Sequence, residues 1–184
     1  MKSVLVHSCC AHCAAYTAGY WQEQGYQVGA LWYNPNIHPY TEHQHRLGAM
    51  KALAAEIDLP LNIDGGYDVI EYFRRVAGQE QEPERCRHCF RLRLAKTAEI
   101  ARETGFSGFT TTLLISPHQK HDLIKEIGEE VGREAGVEFL YADLRKRYSD
   151  SRHITKGMNL YRQQYCGCLY SEWERYSDTA NSAR

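Results

Sequence analysis

The sequence of 184 residues contains no apolar run long enough to cross a membrane. Its amino terminus has only Val4-Leu5-Val6 between Lys2 and His7, which is far too short for the apolar region of a secretory signal. Net charge is also scarce, because 22 Lys and Arg nearly balance 23 Asp and Glu and leave a net charge of −1. No global positive field therefore attracts a nucleic acid. We expect a cytoplasmic protein with no membrane partner.

Glycine is absent from residues 8–18, the segment that follows the first predicted strand, and the first glycine in the chain is Gly19. Nucleotide-binding folds place glycines in this segment so that the backbone can wrap around phosphate groups. Chemistry driven by a bound nucleotide is therefore disfavoured, even if the topology resembles those folds.

Short apolar runs alternate five times with longer helical patterns. We predict strands at 3–6, 28–33, 59–63, 109–115 and 137–142, and helices at 11–24, 42–57, 69–76, 89–103, 122–135 and 152–161. This alternation predicts an α/β fold, with a parallel sheet of about five strands flanked by helices on both faces. We expect one domain over residues 1–176, which carries the functional site, and a frayed polar tail over residues 177–184.

Polar and reactive residues follow several of the predicted strands. Sheets of this kind place their sites beyond the carboxyl ends of the strands, at one edge of the sheet. The segments that fall there are Cys9-Cys10, Asn34-Pro35, residues 64–66, Ser116-Pro117 and Asp143. We therefore expect a single site built from separate parts of the chain.

Cysteine is abundant, and its seven copies form three groups: Cys9-Cys10-x-x-Cys13, Cys86-x-x-Cys89 and Cys166-x-Cys168. In a reducing compartment, such groups indicate metal binding, redox chemistry or catalysis more often than structural disulfides. Cys86 is predicted just before a helix and Cys89 at its start, where free N–H groups stabilise thiolates. Soft thiolates select zinc or iron–sulfur clusters, and a closed structural zinc site remains open as an alternative.

The third group differs from the other two because only Gly167 separates its cysteines. Glycine permits the backbone angles of a tight, strained disulfide, which would be redox-active rather than structural. Ligation of a metal by the same two thiols is the competing interpretation, and the residues alone do not decide between them.

Positive charge is concentrated in residues 84–96, with a local net charge of +4, and in residues 145–162, with a local net charge of +5. Both stretches adjoin cysteine groups, which favours a phosphate-bearing partner. A solvated surface of mixed charge explains the charges alone equally well. His12 and His38 lie near the predicted site and can carry protons.

Five segments resemble the epoxyqueuosine reductases of the QueH type, a cobalamin-independent iron–sulfur family. They are His7-Ser8-Cys9-Cys10-Ala11-His12-Cys13, residues 33–39, residues 85–93, residues 110–119 and Tyr161-Arg162-Gln163-Gln164-Tyr165-Cys166-Gly167-Cys168. The resemblance implies a Rossmann-like domain related to the adenine-nucleotide alpha-hydrolase (HUP) group, without use of ATP. It also implies the last step of queuosine synthesis, in which an epoxide at the wobble position of a tRNA is reduced to an alkene.

The resemblance further implies that Cys9, Cys10, Cys86 and Cys89 hold a [4Fe-4S] cluster. Cys166 and Cys168 would form a redox-active pair or help to hold an additional iron ion, with Cys13 as a further ligand. An electron donor, which the sequence does not identify, would complete the reaction. The candidate proton donors are His12, His38, Asp143 and Tyr165.

Two other functions use the same residues. A zinc-stabilised RNA-binding module would use the basic stretches without redox chemistry. A thiol-disulfide oxidoreductase would use Cys166 and Cys168 on small disulfides, without RNA.

Overall fold

The computed structural model describes residues 1–182, with side chains as far as residue 178, and is built around a parallel sheet. Its strands are β1 (Ser3–His7), β2 (Gln27–Trp32), β3 (Leu61–Ile63), β4 (Gly108–Thr111) and β5 (Glu138–Phe139). They lie in the order β3-β2-β1-β4-β5, and every neighbouring pair is parallel. β1 is central, and its apolar residues are almost completely buried because both of its faces are covered.

Seven α-helices connect or follow these strands within the described residues. They are α1 (Ala11–Glu23), α2 (Tyr40–Glu56), α3 (Ile70–Val76), α4 (Glu84–Glu103), α5 (His121–Ala135), α6 (Tyr148–Ile154) and α7 (Leu169–Ser182). Helix α1 packs against α2 and α6, whereas α4 packs against α5. Because β2 and β4 lie on opposite sides of β1, the chain diverges there and leaves a crevice at the carboxyl ends of β1 and β4.

The predicted fold class, a five-stranded parallel sheet flanked by helices, is confirmed. Three of the predicted strands are too long, and the first of them, β3, begins at Leu61 instead of at residue 59. β4 ends at Thr111, whose hydroxyl oxygen accepts a hydrogen bond of 3.2 Å from the Leu113 N–H. This contact begins a short 3-10 helix, Thr112–Ile115, in place of the predicted strand end. β5 comprises only Glu138–Phe139.

Helix α4 begins at Glu84, earlier than predicted, with Pro83 as its N-cap. Proline is tolerated at such a position because the first N–H groups of a helix have no partner within it. Cys86 and Cys89 therefore both lie within the first two turns of α4. The prediction that Cys86 precedes the helix is wrong.

The last third of the chain differs most from the prediction. Helix α6 ends at Ile154, ahead of the predicted end, and Gly157 (φ +96°) and Asn159 (φ +49°) then adopt left-handed backbone angles that a helix cannot contain. Helix α7 was not predicted, and it continues through Ser182 where we expected a frayed tail. Residues 183 and 184 of that tail lie outside the described residues. Over residues 1–182, no helix has the length and apolar character needed to cross a bilayer.

Candidate functional site

His7, the last residue of β1, connects three strand ends. Its Nδ1 is 2.9 Å from the Thr111 hydroxyl oxygen, and its Nε2 is 3.2 Å from Asn34 Oδ1. The Asn34 Nδ2 donates to the Ser8 carbonyl oxygen at 2.9 Å. Burial, followed by the positive charge of Arg93, lowers the pKa of His7 to about 3, so its ring is neutral. These contacts fix the point at which the chain leaves the sheet, directly before the first cysteine pair.

The first cavity opens in the crevice at this edge and has a volume of about 390 Å³. Its wall contains Cys9, Cys10 and Cys13, together with His12. The Nδ1 of His12 lies 2.5 Å from the Thr155 hydroxyl oxygen, whereas its Nε2 is buried and has no hydrogen-bond partner. The free nitrogen therefore belongs to a ring that borders the cavity.

A second, smaller cavity of about 60 Å³ adjoins the first. Cys86, Cys89 and Cys168 line it, and Cys166 lines both cavities. The Gln119 Nε2 donates a hydrogen bond of 3.5 Å to the Cys166 sulfur. The three cysteine groups, although far apart in sequence, therefore surround two adjoining spaces that share one thiol.

All seven cysteines are free thiols. Burial raises the pKa of Cys9 and of Cys86, and it raises that of Cys89 to about 12. A hydrogen bond between Cys10 and Cys13 lowers the pKa of Cys10 and raises that of Cys13. Thiols with raised pKa values become thiolates when a metal displaces the proton.

Within residues 1–182, no three His, Cys, Asp or Glu side chains converge closely enough to chelate a single metal ion. The predicted ligand set is instead divided, with Cys9 and Cys10 at the first cavity and Cys86 and Cys89 at the second. The donor set is nevertheless chemically suited to an iron–sulfur cluster, because soft thiolates dominate it. Three buried polar side chains in the second cavity wall, Asn36, Arg85 and Arg93, also have side-chain atoms without partners.

The C-terminal arm, which we define as residues 161–168, brings Cys166 and Cys168 to the site. Arg46 of α2 donates hydrogen bonds to the carbonyl oxygens of Tyr165 (2.9 Å) and Cys166 (3.0 Å). The His38 N–H donates to the Gly167 carbonyl oxygen at 2.8 Å. Two tyrosine hydroxyls donate further hydrogen bonds. The Tyr161 hydroxyl donates to the Glu42 carboxylate, and the Tyr165 hydroxyl donates to the His38 carbonyl oxygen.

Three of the four candidate proton donors are poorly suited to that role. Asp143 lines neither cavity, and its two oxygens lie 2.5 and 2.8 Å from Arg145 nitrogens. That arginine holds the pKa of Asp143 well below its usual range, so the carboxyl has no proton to give. Both ring nitrogens of His38 form hydrogen bonds, Nε2 with the Pro35 carbonyl oxygen and Nδ1 with the Leu169 N–H. The Tyr165 hydroxyl already donates to the His38 carbonyl oxygen. His12 alone among the four has a free nitrogen.

In the basic stretch 84–96, for which the sequence left a phosphate-binding surface and a surface of mixed charge open, exposed arginines pair with carboxylates. Arg87 pairs with Glu126 at 2.7 Å, and Arg91 pairs with Glu130 and Glu134 at 3.0 and 2.7 Å. Packing of α4 against α5 brings the acidic stretch 121–138 against these arginines. By contrast, the wall of the first cavity contains three arginines, Arg152, Arg162 and Arg175.

Sequence reasoning missed the residues that support the cysteines, chiefly Glu42, Arg46, Arg93 and Gln119. Glu42 and Arg46 have the spacing of an ordinary surface ion pair on a helix, yet they are 6% and 2% exposed. Arg93 is one of several arginines in α4, and only its apolar neighbours Leu92 and Leu94 hint at burial. A charged residue between two apolar ones on a predicted helix is the signal that was available.

Comparison with known proteins identifies the family of this chain. The family described as "Epoxyqueuosine reductase QueH" matches residues 4–174. A protein of that name from Dehalococcoides mccartyi is 55% identical over 173 residues, which cover 94% of each chain. One from Thermotoga maritima is 32% identical and covers 100% of this chain and 97% of that one. One from Streptococcus pyogenes is 36% identical, over 92% and 70% of the two chains.

A solved structure described as a "predicted subunit of tRNA methyltransferase" from Methanocaldococcus jannaschii has the same fold, with a TM-score of 0.59 and 9% identity. The match covers 98% of this chain and 89% of that one, and it bears on the fold alone. The family match spans the three cysteine groups, from β1 to the C-terminal arm. The chain therefore belongs to the epoxyqueuosine reductase QueH family of oxidoreductases.

Proposed function

We propose that this protein reduces epoxyqueuosine to queuosine at the wobble position of a tRNA, with a [4Fe-4S] cluster held by Cys9, Cys10, Cys86 and Cys89. The observation that carries the proposal is the arrangement of cysteines around two adjoining cavities in a member of this family. Their division between cavities suits a group that is larger than one ion, because a tetrahedral zinc needs all four sulfurs about 2.3 Å from a single point.

The net reaction requires two electrons and two protons. Both carbon–oxygen bonds of the epoxide break, an alkene forms, and the oxygen leaves as water. The electrons come from an external reductant, and a bound [4Fe-4S] cluster supplies them one at a time. The chain itself must deliver protons to the departing oxygen and keep the reacting carbons close to the thiols.

His12 is the residue best placed to handle a proton. Its contact with Thr155 leaves the Nε2 free, and the ring borders the first cavity beside Cys10. A general acid must lie within hydrogen-bond reach of the leaving oxygen, so the buried Nε2 of His12 must become accessible from the cavity when the substrate binds. Cys166 and Cys168 form a second redox element next to the cluster ligands, either as a disulfide-forming pair or as ligands of an additional iron ion.

The first cavity suits a nucleoside that is turned out of an RNA loop. Its volume of about 390 Å³ is within the range of small-molecule sites, roughly 300–1,000 Å³. Arg152, Arg162 and Arg175 supply positive charge for phosphates, and Tyr148 and Tyr165 supply aromatic surface for stacking. Proteins recognise single-stranded RNA loops by this combination of stacking and phosphate contacts.

The direct test is reduction of a tRNA that carries epoxyqueuosine. Protein purified without oxygen is incubated with this tRNA and dithionite, and the digested nucleosides are analysed by mass spectrometry. We expect queuosine, and about four sulfide per chain with about four iron, or about five iron if Cys166 and Cys168 hold an additional ion. His12→Gln and Cys86→Ser should each abolish the product, whereas Asp143→Asn should not, because Asp143 lies outside both cavities.

Two outcomes would contradict the proposal. One zinc per chain without sulfide would favour the RNA-binding module. Reduction of small disulfides with no queuosine formed would favour the thiol-disulfide oxidoreductase.

A further inference from the structure

Arg93 of α4 is a buried cation without an anionic side chain. It is 1% exposed, and its side chain forms part of the wall of the second cavity. The Nε donates a hydrogen bond of 3.2 Å to the carbonyl oxygen of Cys89, and the Nη2 is buried with no partner. Among the described side chains, no carboxylate lies within ion-pair distance of it.

The other two buried arginines are different. Arg46 is 2% exposed and pairs with Glu42 at 2.6 Å. Arg85 is also 2% exposed and pairs with Glu82 and Glu174 at 3.0 and 2.5 Å. A buried charge without a partner is costly, because the interior does not solvate it as water does. The guanidinium of Arg93 lies 5.6 Å from the ring centre of Phe90, but this contact supplies no negative charge, so the absence of a carboxylate beside Arg93 requires an explanation.

The groups that can balance Arg93 are sulfur atoms. Burial alone lowers the pKa of Arg93, but interaction with the thiols of Cys89, Cys9 and Cys166 outweighs it and the net shift is upward. These three cysteines come from the three separate groups in the sequence. Arg93 shares the wall of the second cavity with Cys89 and Cys166, and that cavity adjoins the one that Cys9 lines.

We propose that Arg93 provides a positive charge that balances the negative charge of the iron–sulfur cluster and thereby raises the reduction potential of the cluster. This inference rests on the proposed function. A cubane with four thiolate ligands carries a net charge of −2 when oxidised, and one electron from the reductant makes it −3. A fixed positive charge stabilises the more negative state, so it makes the cluster easier to reduce. Removal of the charge should lower the midpoint potential.

The test compares four full-length, cluster-loaded proteins: the wild type, Arg93→Gln, Arg93→Lys and Arg91→Gln. Arg91→Gln is the matched control, because it removes the same charge from the exposed side of the same helix, where Arg91 pairs with Glu130 and Glu134. Midpoint potentials are measured by dye-mediated redox titration with electron paramagnetic resonance, and iron and sulfide are measured in parallel.

We expect Arg93→Gln to retain iron and sulfide and to have a more negative midpoint potential than the wild type. Arg93→Lys, which keeps the charge, should lie between these two proteins. Arg91→Gln should match the wild type, because solvent screens an exposed charge. A more negative potential in Arg93→Gln, with the cluster content unchanged and no shift in Arg91→Gln, is a result that a purely structural role would not produce.

Arg93→Met provides a second variant if Arg93→Gln does not fold, because apolar side chains of similar volume commonly replace a buried charge without loss of stability. Its potential should likewise be more negative than that of the wild type. Equal potentials in Arg93→Met, Arg93→Gln and Arg91→Gln would overturn the inference while leaving the proposed function intact. A wild type without iron and sulfide would overturn both.

Discussion

Arg46 and Cys166 are 120 residues apart in the chain, and the Nη1 of Arg46 donates a hydrogen bond of 3.0 Å to the Cys166 carbonyl oxygen. The same guanidinium donates to the Tyr165 carbonyl oxygen at 2.9 Å and to Glu42 at 2.6 Å. Residues 161–168 form no helix or strand of their own. A single buried side chain therefore does much to hold the C-terminal cysteines at the sheet edge.

Arg46→Met should destabilise the protein strongly. The substitution leaves Glu42 buried without its partner and removes both hydrogen bonds to the C-terminal arm, so we expect a loss of about 3–5 kcal/mol in the free energy of unfolding. Urea denaturation followed by circular dichroism measures it. Arg75→Met is the control, since Arg75 and Glu71 have the same spacing and the same 2.6 Å distance but are exposed. That variant should lose no more than about 1 kcal/mol, and equal losses would contradict the role of Arg46.

Gly167→Ala should disturb the cysteine pair more than an ordinary glycine substitution does. Gly167 has φ +144°, and a Cβ there would lie 3.1 Å from Ile37 Cγ1. Gly157 has φ +96° but no atom within 4 Å of the corresponding Cβ position. We expect about 1 kcal/mol of destabilisation for Gly157→Ala and at least about 2 kcal/mol for Gly167→Ala, because strain and overpacking combine. Thermal unfolding of the two variants checks this, and a larger loss in Gly157→Ala would contradict it.

His38 should make the protein sensitive to mild acid. Burial is the main cause that lowers its pKa from 6.5 to about 4, and its Nδ1 accepts a hydrogen bond from the Leu169 N–H at 3.3 Å. Because the folded pKa is below the unfolded one, the stabilisation is complete above pH 6.5 and is lost as the pH falls towards 4. The loss should reach about 3 kcal/mol.

His38→Gln separates the contribution of His38 from that of the other acid-sensitive groups, because a glutamine side chain does not titrate. Between pH 7 and pH 4.5, its free energy of unfolding should fall less steeply than that of the wild type. Parallel curves for the two proteins would show that His38 does not contribute.

Arg162 should contribute to the affinity for tRNA, whereas Arg91 should not. Arg162 lines the first cavity, and Arg91 pairs with two glutamates of α5. Arg162→Gln should weaken binding and reduce the slope of log affinity against log salt by about 1, as expected for one lost phosphate contact. Arg91→Gln should leave both quantities unchanged. Fluorescence anisotropy at several salt concentrations measures both quantities. A larger loss of affinity in Arg91→Gln than in Arg162→Gln would indicate that the α4 surface binds the RNA.

Cys168→Ser should separate cluster binding from catalysis. Cys168 lines the second cavity but is not one of the four proposed cluster ligands, so iron–sulfur absorbance and tRNA binding should persist while epoxide reduction is lost. Thiol trapping after one turnover should find a Cys166–Cys168 disulfide if the pair cycles. If the pair holds iron, the variant should instead lose one iron per chain. Full multiple-turnover activity of Cys168→Ser would exclude both roles.

The sheet could be predicted because each strand is marked by a pattern of neighbouring residues in the sequence. Runs such as Val4-Leu5-Val6 are apolar on both faces, which is the pattern of a central parallel strand, and the helical patterns between strands require crossover connections. The position of Cys9 and Cys10 at the sheet edge followed directly from this topology. The ends of β4 and α4 were less accessible, since they depend on single contacts such as the one between Thr111 and Leu113.

Other parts of the site depend on contacts between distant segments. The positive charges of Arg87 and Arg91 appeared free in the sequence, because Glu126 and Glu134 lie 39 and 43 residues further along the chain. Asp143 follows a strand and was therefore predicted at the edge of the sheet that carries the site. It instead forms a surface ion pair with Arg145. Helix α7 was missed because it too depends on a contact between distant segments, the ion pair between Arg85 of α4 and Glu174 of α7.

The contact between Arg46 and Cys166 also has a consequence for how the protein matures. Cys9, Cys10 and Cys13 are synthesised first, but the cavity wall that they share with Cys166 is complete only after the C-terminal arm has docked on α2. Contacts over such long stretches of chain form late in folding. We therefore expect the early thiols to lack this wall while the rest of the chain is made, and the proposed cluster to enter only after the C-terminal arm has docked.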